Sequence, residues 1–595
     1  MIMKANNLVK GGSFLLSEVD VSTVFTPEDC TEEHLMIANL SESFIDQEID
    51  PYDDVLETQD FTLLVKLVKK AGELGLLGAS VPEEYGGTNL DRISSTLISE
   101  KMIRCSSYSL TIAAHIGIGT LPIVLFGTKD QKQKYLPLSV SGEQIFAYCL
   151  TEPSSGSDAL NAKTTAVLSE DATHYVLTGT KQFITNAAFA DVFIVYAKVD
   201  GKHFSTFIVE KKFKGVSTGA EEKKMGIKGS STRQLILEDV HVPIENVLGE
   251  VGKGHVIAFN ILNLGRYSLA AGCVGSSKWA IELAVQYGCE RKQFNKTLTE
   301  FPLIQKKIAD MTIYTYAAES MVFRTGGLMD SARRSLNLNI EDHANQVIKG
   351  IAEYAMECSM NKVFATECLD YVADESLQIH GGYGFTQEYK IERIYRDARI
   401  NRIFEGTNEI NRLLIPNQLF RRAMKGELPL MEAVKKLEQE LVTYIPSTPD
   451  EGVPLLQEKA ILNSAKKIFL MVVGKTVKQF KQQLEEQQEI IEIIANLAIQ
   501  IYAMESVMIR TKKAIDKEGI IRAKQKWNIT AAFTQESFAK IQHMAKDAFV
   551  MTESGDELKM TLAMMKKLVR YNPRNLLPVK RQIAARIIDS KKYVV

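Results

Sequence analysis

A block of short β-branched and aromatic runs, set inside an otherwise helical chain, narrows the folds open to this protein. Phe146 to Thr151, His174 to Thr178, Asp191 to Ala197 and Ser205 to Val209 are each bounded by turn residues, the pattern of half-buried strands. Continued to Asn246, they predict an all-β insert, a small barrel or sandwich, over 146–253. On either side the period becomes helical. Leu63, Leu64, Leu67, Val68 and Ala71 recur at helix spacing before Gly75, and helices resume at Gly254 and run to Met424. Thr26-Pro27-Glu28-Asp29 predicts an earlier helix start. A chain of 595 residues needs several cores, and the reading is mainly α with an all-β middle. Its parts are an N-terminal helical domain over 1–145, a β-barrel over 146–253 and a helical bundle over 254–425. Tyr444 to Pro454 carries three prolines in eleven residues, which predicts a linker over 426–455. Amphipathic helices return over 456–595, with Lys475 to Glu489 as a solvated charged face.

Charge and cysteine usage exclude several function classes. A formal net charge of -2 offers no broad field for nucleic acid or an anionic membrane. The seven cysteines are scattered from Cys30 to Cys368 without a C-x-x-C pair, which predicts neither a disulfide framework nor a zinc cage and suits a reducing compartment. Nine histidines never form H-E-x-x-H, so no metal is expected. Glu18 and Asp20 break the first apolar run, and no arginine precedes Arg92. Neither a secretory nor a mitochondrial leader is therefore expected. No unbroken run of about 18 apolar residues suggests a membrane span, and the cytoplasm is the expected location.

The stretch with most chemistry is Tyr395 to Arg412. Its first half can be helical, with Ile394 and Ala398 on one face, but Gly406-Thr407-Asn408 favours a tight turn. A second helix starts from Thr407 or Asn408 as N-cap. Glu405 sits on the break behind Ile403 and Phe404, which would desolvate it. Burial raises a carboxyl pKa and makes a competent general base; the alternative is a solvated loop glutamate. Upstream, Gln378-Ile379-His380-Gly381-Gly382-Tyr383-Gly384 places three glycines in four residues. That suits close approach to something flat or phosphorylated, or a plain turn between helices. Ser154 to Asp158 is a loop of small hydrogen-bonding residues, fit for a planar ring, a phosphate or an ordinary hairpin. Arg291 at a helix end can grip a pyrophosphate bidentately or stand in solvent. Small residues at Ala113, Ala114, Gly117 and Gly119 leave room for a close helix or for an acyl chain.

Two long motifs in order, Cys149-Leu150-Thr151-Glu152-Pro153 through Asp158, and Gln378 through Gly384-Phe385 followed by Ile403-Phe404-Glu405-Gly406-Thr407-Asn408, make the chain resemble the acyl-CoA dehydrogenase family. The resemblance covers about residues 30–425, and the tail is similar to the extra helical domain of the very-long-chain branch. It implies FAD-dependent α,β-dehydrogenation of fatty acyl-CoA thioesters to trans-2-enoyl-CoA in fatty acid β-oxidation. Electrons would pass to an electron-transfer flavoprotein. An acyl-CoA oxidase using dioxygen and a non-catalytic assembly protein are the rival readings on the same fold.

The resemblance assigns the base to Glu405, with its own backbone N–H and a flavin ribityl hydroxyl receiving the thioester oxygen. A minority of the family carries the base just before the arginine matching Arg266; here that position is Gly265, which cannot accept a proton. Tyr148, Leu150, Thr151 and Ser157 are implied near the isoalloxazine, with Phe183 and Thr185 beside them. Arg291, Phe294, Gln378, Ile379, Gly381 and Gly382 of a partner subunit would hold the adenine dinucleotide half, and Thr407 to Glu409 would close over the phosphates. Substrate contacts would come from Ser157, Asn263, Arg266, Glu405 and Gly406. A flavin shared between subunits implies a homo-oligomer, and the tail implies a dimer. Phe183 stands where many members carry Trp, and Pro302 where some carry a flavin-contacting Gln.

Overall fold

The computed structural model describes residues 9–336, 343–445 and 453–595. Helices fill the N-terminal part. Thr31 accepts the His34 N–H and starts Glu32–Phe44, whereas Thr26 and Asp29 close only a single 3-10 turn, Pro27–Asp29. The helix start expected at Thr26 therefore comes five residues later, because Cys30 leaves the helical path. Phe61–Glu73 is capped by Asp60 and buries Leu64, Leu67, Val68 and Ala71, one stripe at helical spacing.

The middle part is an eight-stranded sheet: β1 (Phe146–Cys149), β2 (Thr165–Leu168), β3 (His174–Thr185), β4 (Val192–Val199), β5 (His203–Glu210), β6 (Val216–Thr218), β7 (Thr232–Pro243) and β8 (Val247–Leu248). Its order is β6-β7-β3-β2-β4-β5-β8, with β1 also on β4. The first half of β4 pairs in parallel with β1 and its end pairs in parallel with β2, so one buried strand aligns both segments that flank the loop 150–164. Between β3 and β7 the register shifts at Lys181 to Ile184. Phe183, at φ 59°, turns its ring out of the sheet there.

Gly254–Glu290, Pro302–Arg334, Ala355–His380 and Asn408–Met424 form the bundle. Pro302 opens its helix at the first position, where no N–H is needed. The expected linker is in part ordered: Leu430–Thr443 is a helix that buries Leu430, Val434, Leu437 and Leu441. Its apolar spacing of three and four residues outweighed the prolines that follow it. Most of the proline stretch, residues 446–452, lies outside the described residues.

Leu456–Phe480, Gln488–Glu518, Lys524–Thr552, Gly555–Leu568 and Leu576–Ser590 make up the C-terminal part. It docks on the bundle and on the N-terminal part through buried charge pairs. Arg324 bonds Glu505 at 2.7 Å, and Arg510 bonds Glu319 at 2.6 Å and Glu28 at 2.9 Å. Ser106–Phe126 and Gln488–Glu518 are long and apolar enough by composition to cross a bilayer, a feature that counting only unbroken apolar runs misses. In Gln488–Glu518 most of that surface is packed inside the protein.

Candidate active site

Glu405 sits between the 3-10 turn Arg399–Arg402 and the helix Asn408–Met424, which Thr407 caps by accepting the Ile410 N–H at 3.2 Å. Glu405 (φ 57°) and Gly406 (φ 77°) are consecutive left-handed residues. A non-glycine residue in that region is held there by its surroundings.

The restraints are visible. Arg266 Nε donates to the Glu405 carbonyl at 3.1 Å, and Arg266 Nη1 donates to Asn263 Oδ1 at 3.0 Å. Lys362 Nζ donates to the Gly406 carbonyl at 2.8 Å and to Asn408 Oδ1 at 2.7 Å. Asn411 Nδ2 donates to the Gly406 carbonyl at 2.8 Å and to that of Thr407 at 3.0 Å. Three successive carbonyls are thus held, and among the described residues the Glu405 N–H has no protein partner. Neither Lys362 nor Asn411 was picked out in the sequence. Asn411 lies in the same motif as Glu405, but only the fold brings Lys362 to the turn.

The residue as a whole is half-buried, yet its Oε2 is sealed from solvent and, among the described residues, has no hydrogen-bond partner. Burial pushes the carboxyl up to about 7, against the pull of Arg266 and Lys362. The wall that seals it differs from the one expected, since Ile403 is exposed. The Gly254–Glu290 helix supplies it instead: a Cβ on Gly265 would lie 2.5 Å from Glu405 Oε2. Tyr148 is close enough for Glu405 and Arg266 to act on its hydroxyl, whose proton affinity burial raises. Among the described residues that hydroxyl is buried without a hydrogen bond, with the Tyr196 hydroxyl its nearest phenol neighbour.

Of the expected flavin residues, Tyr148, Leu150, Thr151, Phe183 and Thr185 come together where β1 and β3 end, joined by the Gln182 N–H to the Thr151 carbonyl at 2.8 Å. Ser157 is exposed on the loop beside them. Glu152 anchors that loop by accepting from Lys181 at 2.7 Å and from the Thr164 N–H at 3.1 Å. Arg291 lies 5.4 Å from the Tyr383 ring, near an exposed Phe294, Gln378, Gly381 and Gly382. A Cβ on either glycine would meet nothing within 4 Å. Ile379 is the exception: its side chain is buried in the bundle core, because that helix position faces inward, and it offers a ligand only its backbone. Thr407 spends its hydroxyl on the cap, and Glu409 is exposed in the first turn after it. Among the described residues no hydrogen bond or ring contact joins Arg291, Phe294 and Gln378 to Gly382 with the β1 and β3 ends.

These groups fit a flavin dinucleotide. An orphaned buried phenol and an exposed aromatic face suit a planar ring, and an open glycine backbone beside an arginine suits a diphosphate. A cavity of about 380 Å³ also lies beside Leu264, with Leu121, Val124, Leu125 and Met329 on one part of its wall and Glu84, Arg92, Lys132, Asp330 and Arg333 on the rest. Gly117 faces open space, whereas Gly119 is needed for close packing on Phe146.

Comparison with known proteins covers nearly the whole chain. Family models described as acyl-CoA dehydrogenase N-terminal, middle and C-terminal domains match residues 31–143, 147–240 and 252–420. A further model, also described as an acyl-CoA dehydrogenase C-terminal domain, matches 464–567. The chain is 55% identical over 595 residues to a "Probable acyl-CoA dehydrogenase" of Bacillus subtilis (strain 168), covering 100% of both. It is 36% identical to the "Very long-chain specific acyl-CoA dehydrogenase, mitochondrial" of Macaca fascicularis, over 84% of this chain and 77% of that one. A crystal structure of an acyl-CoA dehydrogenase complexed with FAD from Bacillus anthracis superposes with a TM-score of 0.96 at 56% identity, covering 99% of this chain and 100% of that one.

Proposed function

Because this chain belongs to the acyl-CoA dehydrogenase family, we propose that it oxidises fatty acyl-CoA thioesters to trans-2-enoyl-CoA in fatty acid β-oxidation, passing electrons to an electron-transfer flavoprotein. The observation that carries this reading is the sealed, unpartnered Oε2 of Glu405 on a turn whose carbonyls are all held.

The α-proton moves to Glu405 Oε2. A carboxyl tuned to about 7 is ionised in a useful fraction at neutral pH and still basic enough to accept it. Charge then gathers on the thioester oxygen, and the unengaged Glu405 N–H is the donor for it. FAD, when bound, supplies the acceptor for the β-hydride, which no side chain can be. Tyr148, Leu150, Thr151, Ser157, Phe183 and Thr185 would hold its ring. Arg291, Phe294, Gln378, Gly381 and Gly382 of a second copy would hold the dinucleotide, with Thr407 and Glu409 beside the phosphates. Asn263 and Arg266 serve the substrate through the Glu405 turn they fasten.

The likeness to a very-long-chain enzyme and the open space at Gly117 support a long acyl chain. Seven unpaired cysteines support a cytoplasmic site of action. The two sets of expected cofactor residues, which among the described residues share no hydrogen bond or ring contact, support a homodimer. Anaerobic bleaching of the flavin by a panel of acyl-CoA chain lengths tests the reading. Long chains should bleach it and Glu405→Gln should slow bleaching by about a hundredfold or more; near-normal bleaching in that variant would reject the assignment.

A further inference from the structure

Lys362 lies on the Ala355–His380 helix, is 0% exposed, and makes no ion pair among the described residues. A buried lysine without a carboxylate partner is costly, so its position needs a reason. Its ammonium is spent on the Gly406 carbonyl and on Asn408 Oδ1, one residue past the base and at the start of the next helix. Asn408 is in turn fixed by donating to Thr366 Oγ1 and Glu367 Oε1, both at 3.1 Å. The ammonium therefore ties the Ala355–His380 helix to the second residue of the left-handed pair and to the helix start that follows it.

We propose that Lys362 is a positioning residue for the base: its ammonium fixes the Gly406–Thr407 peptide and so holds the turn on which Glu405 stands. This role rests on Glu405 being the base. The charged and titratable groups around the ammonium come from three elements. Arg266 and Cys273 lie on Gly254–Glu290, Glu405 is on the turn, and Glu409 begins the next helix. Of these only Arg266 adds positive charge, and it bonds the neighbouring carbonyl. The two cations thus act on adjacent peptides, and removing either should loosen the turn and leave the carboxylate less well compensated. Burial also brings the Lys362 ammonium down to about 8, so the clamp would weaken as pH rises past that value.

The test is an infrared titration of the Glu405 carboxyl in the flavin-loaded protein, with Glu405→Gln used to assign the band. It needs no turnover, so it can fail while the dehydrogenase reading stands, and the acyl-CoA bleaching assay can fail while it holds. Lys362→Met should move the carboxyl midpoint upward by about one pH unit, and Lys362→Arg should leave it within about 0.3 unit of wild type. In the same proteins, Lys362→Met should slow bleaching about tenfold or more and shift its acid limb upward with the carboxyl. Lys362→Arg should lose the fall in rate expected of wild type above about pH 8. An unmoved carboxyl midpoint in Lys362→Met, or an alkaline fall retained in Lys362→Arg, would overturn the proposal. If Lys362→Met comes out without flavin, the alkaline limb of Lys362→Arg decides it.

Discussion

The Gly265 α-carbon abuts the Glu405 carboxylate so closely that a Cβ built there would stand 2.5 Å from Oε2 and 2.9 Å from Cδ. The glycine is in the interior of a 37-residue helix, where alanine would ordinarily stabilise by about 0.5–1 kcal/mol. The carboxylate is the far end of a flexible side chain and can swing away, so the backbone need not yield. Gly265→Ala should therefore keep or raise the melting temperature while flavin bleaching slows by about ten- to a hundredfold. Unfolding scans beside single-turnover kinetics check the two opposite signs.

The raised Glu405 carboxyl has a consequence for stability. Between its ordinary value of 4.5 and about 7 the folded protein holds a proton that the unfolded chain has released, so stability falls as pH rises through that window. The full effect above pH 7 is on the order of 3 kcal/mol. Glu405→Gln removes the ionisation and should raise the melting temperature at pH 8 more than at pH 5. The wild-type rate should instead rise through pH 7, since only the ionised carboxylate accepts the proton. An equal effect of the substitution at both pH values would contradict the burial of Oε2.

Local chemistry made the turn legible from the chain alone. Gly406 marked the left-handed step, Thr407 the cap, and the β-branched block the sheet that brings Tyr148 to the site. The surroundings of Glu405 were not legible in the same way. Ile403 and Phe404 are its neighbours in sequence, but the helix carrying Gly265 lies about 140 residues away and Lys362 lies 44 residues from Gly406, so folding alone brings them in. The helix Leu430–Thr443 was hidden for the opposite reason: the prolines after it carried more weight in the reading than the apolar spacing within it.

Docking of the C-terminal part can be tested through Glu505. It accepts from Arg324 at 2.7 Å and from Lys466 at 2.6 Å, with Arg324 only 1% exposed. The Arg324 guanidinium also packs 4.3 Å from the Tyr502 ring. Glu505→Ala would strand two cations in the interface, a change that typically costs about 3–5 kcal/mol. Urea unfolding should show that loss. Because Arg324 is on the bundle helix and Glu505 on the C-terminal part, proteolysis should also release the latter more readily. A loss below about 1 kcal/mol would mean that the pair is well solvated.

Phe294 is 88% exposed and Phe183 61% exposed, and both have left-handed backbones that turn an aromatic ring out of a tight bend. Two such rings facing water cost hydration free energy in an isolated copy of the chain. A partner would relieve that cost if Arg291, Phe294 and the Gly381-Gly382 turn of one copy met the β1 and β3 ends of the other. Cofactor retention would then depend on protein concentration, because binding to the assembled state favours assembly. Phe294→Ala should leave the fold of each copy intact, since Phe294 buries little of its own side chain, while lowering both the dimer fraction and the flavin content by severalfold. Sedimentation velocity read at the flavin and protein wavelengths measures both together. A variant that stays dimeric and fully yellow at submicromolar concentration would remove Phe294 from the shared site.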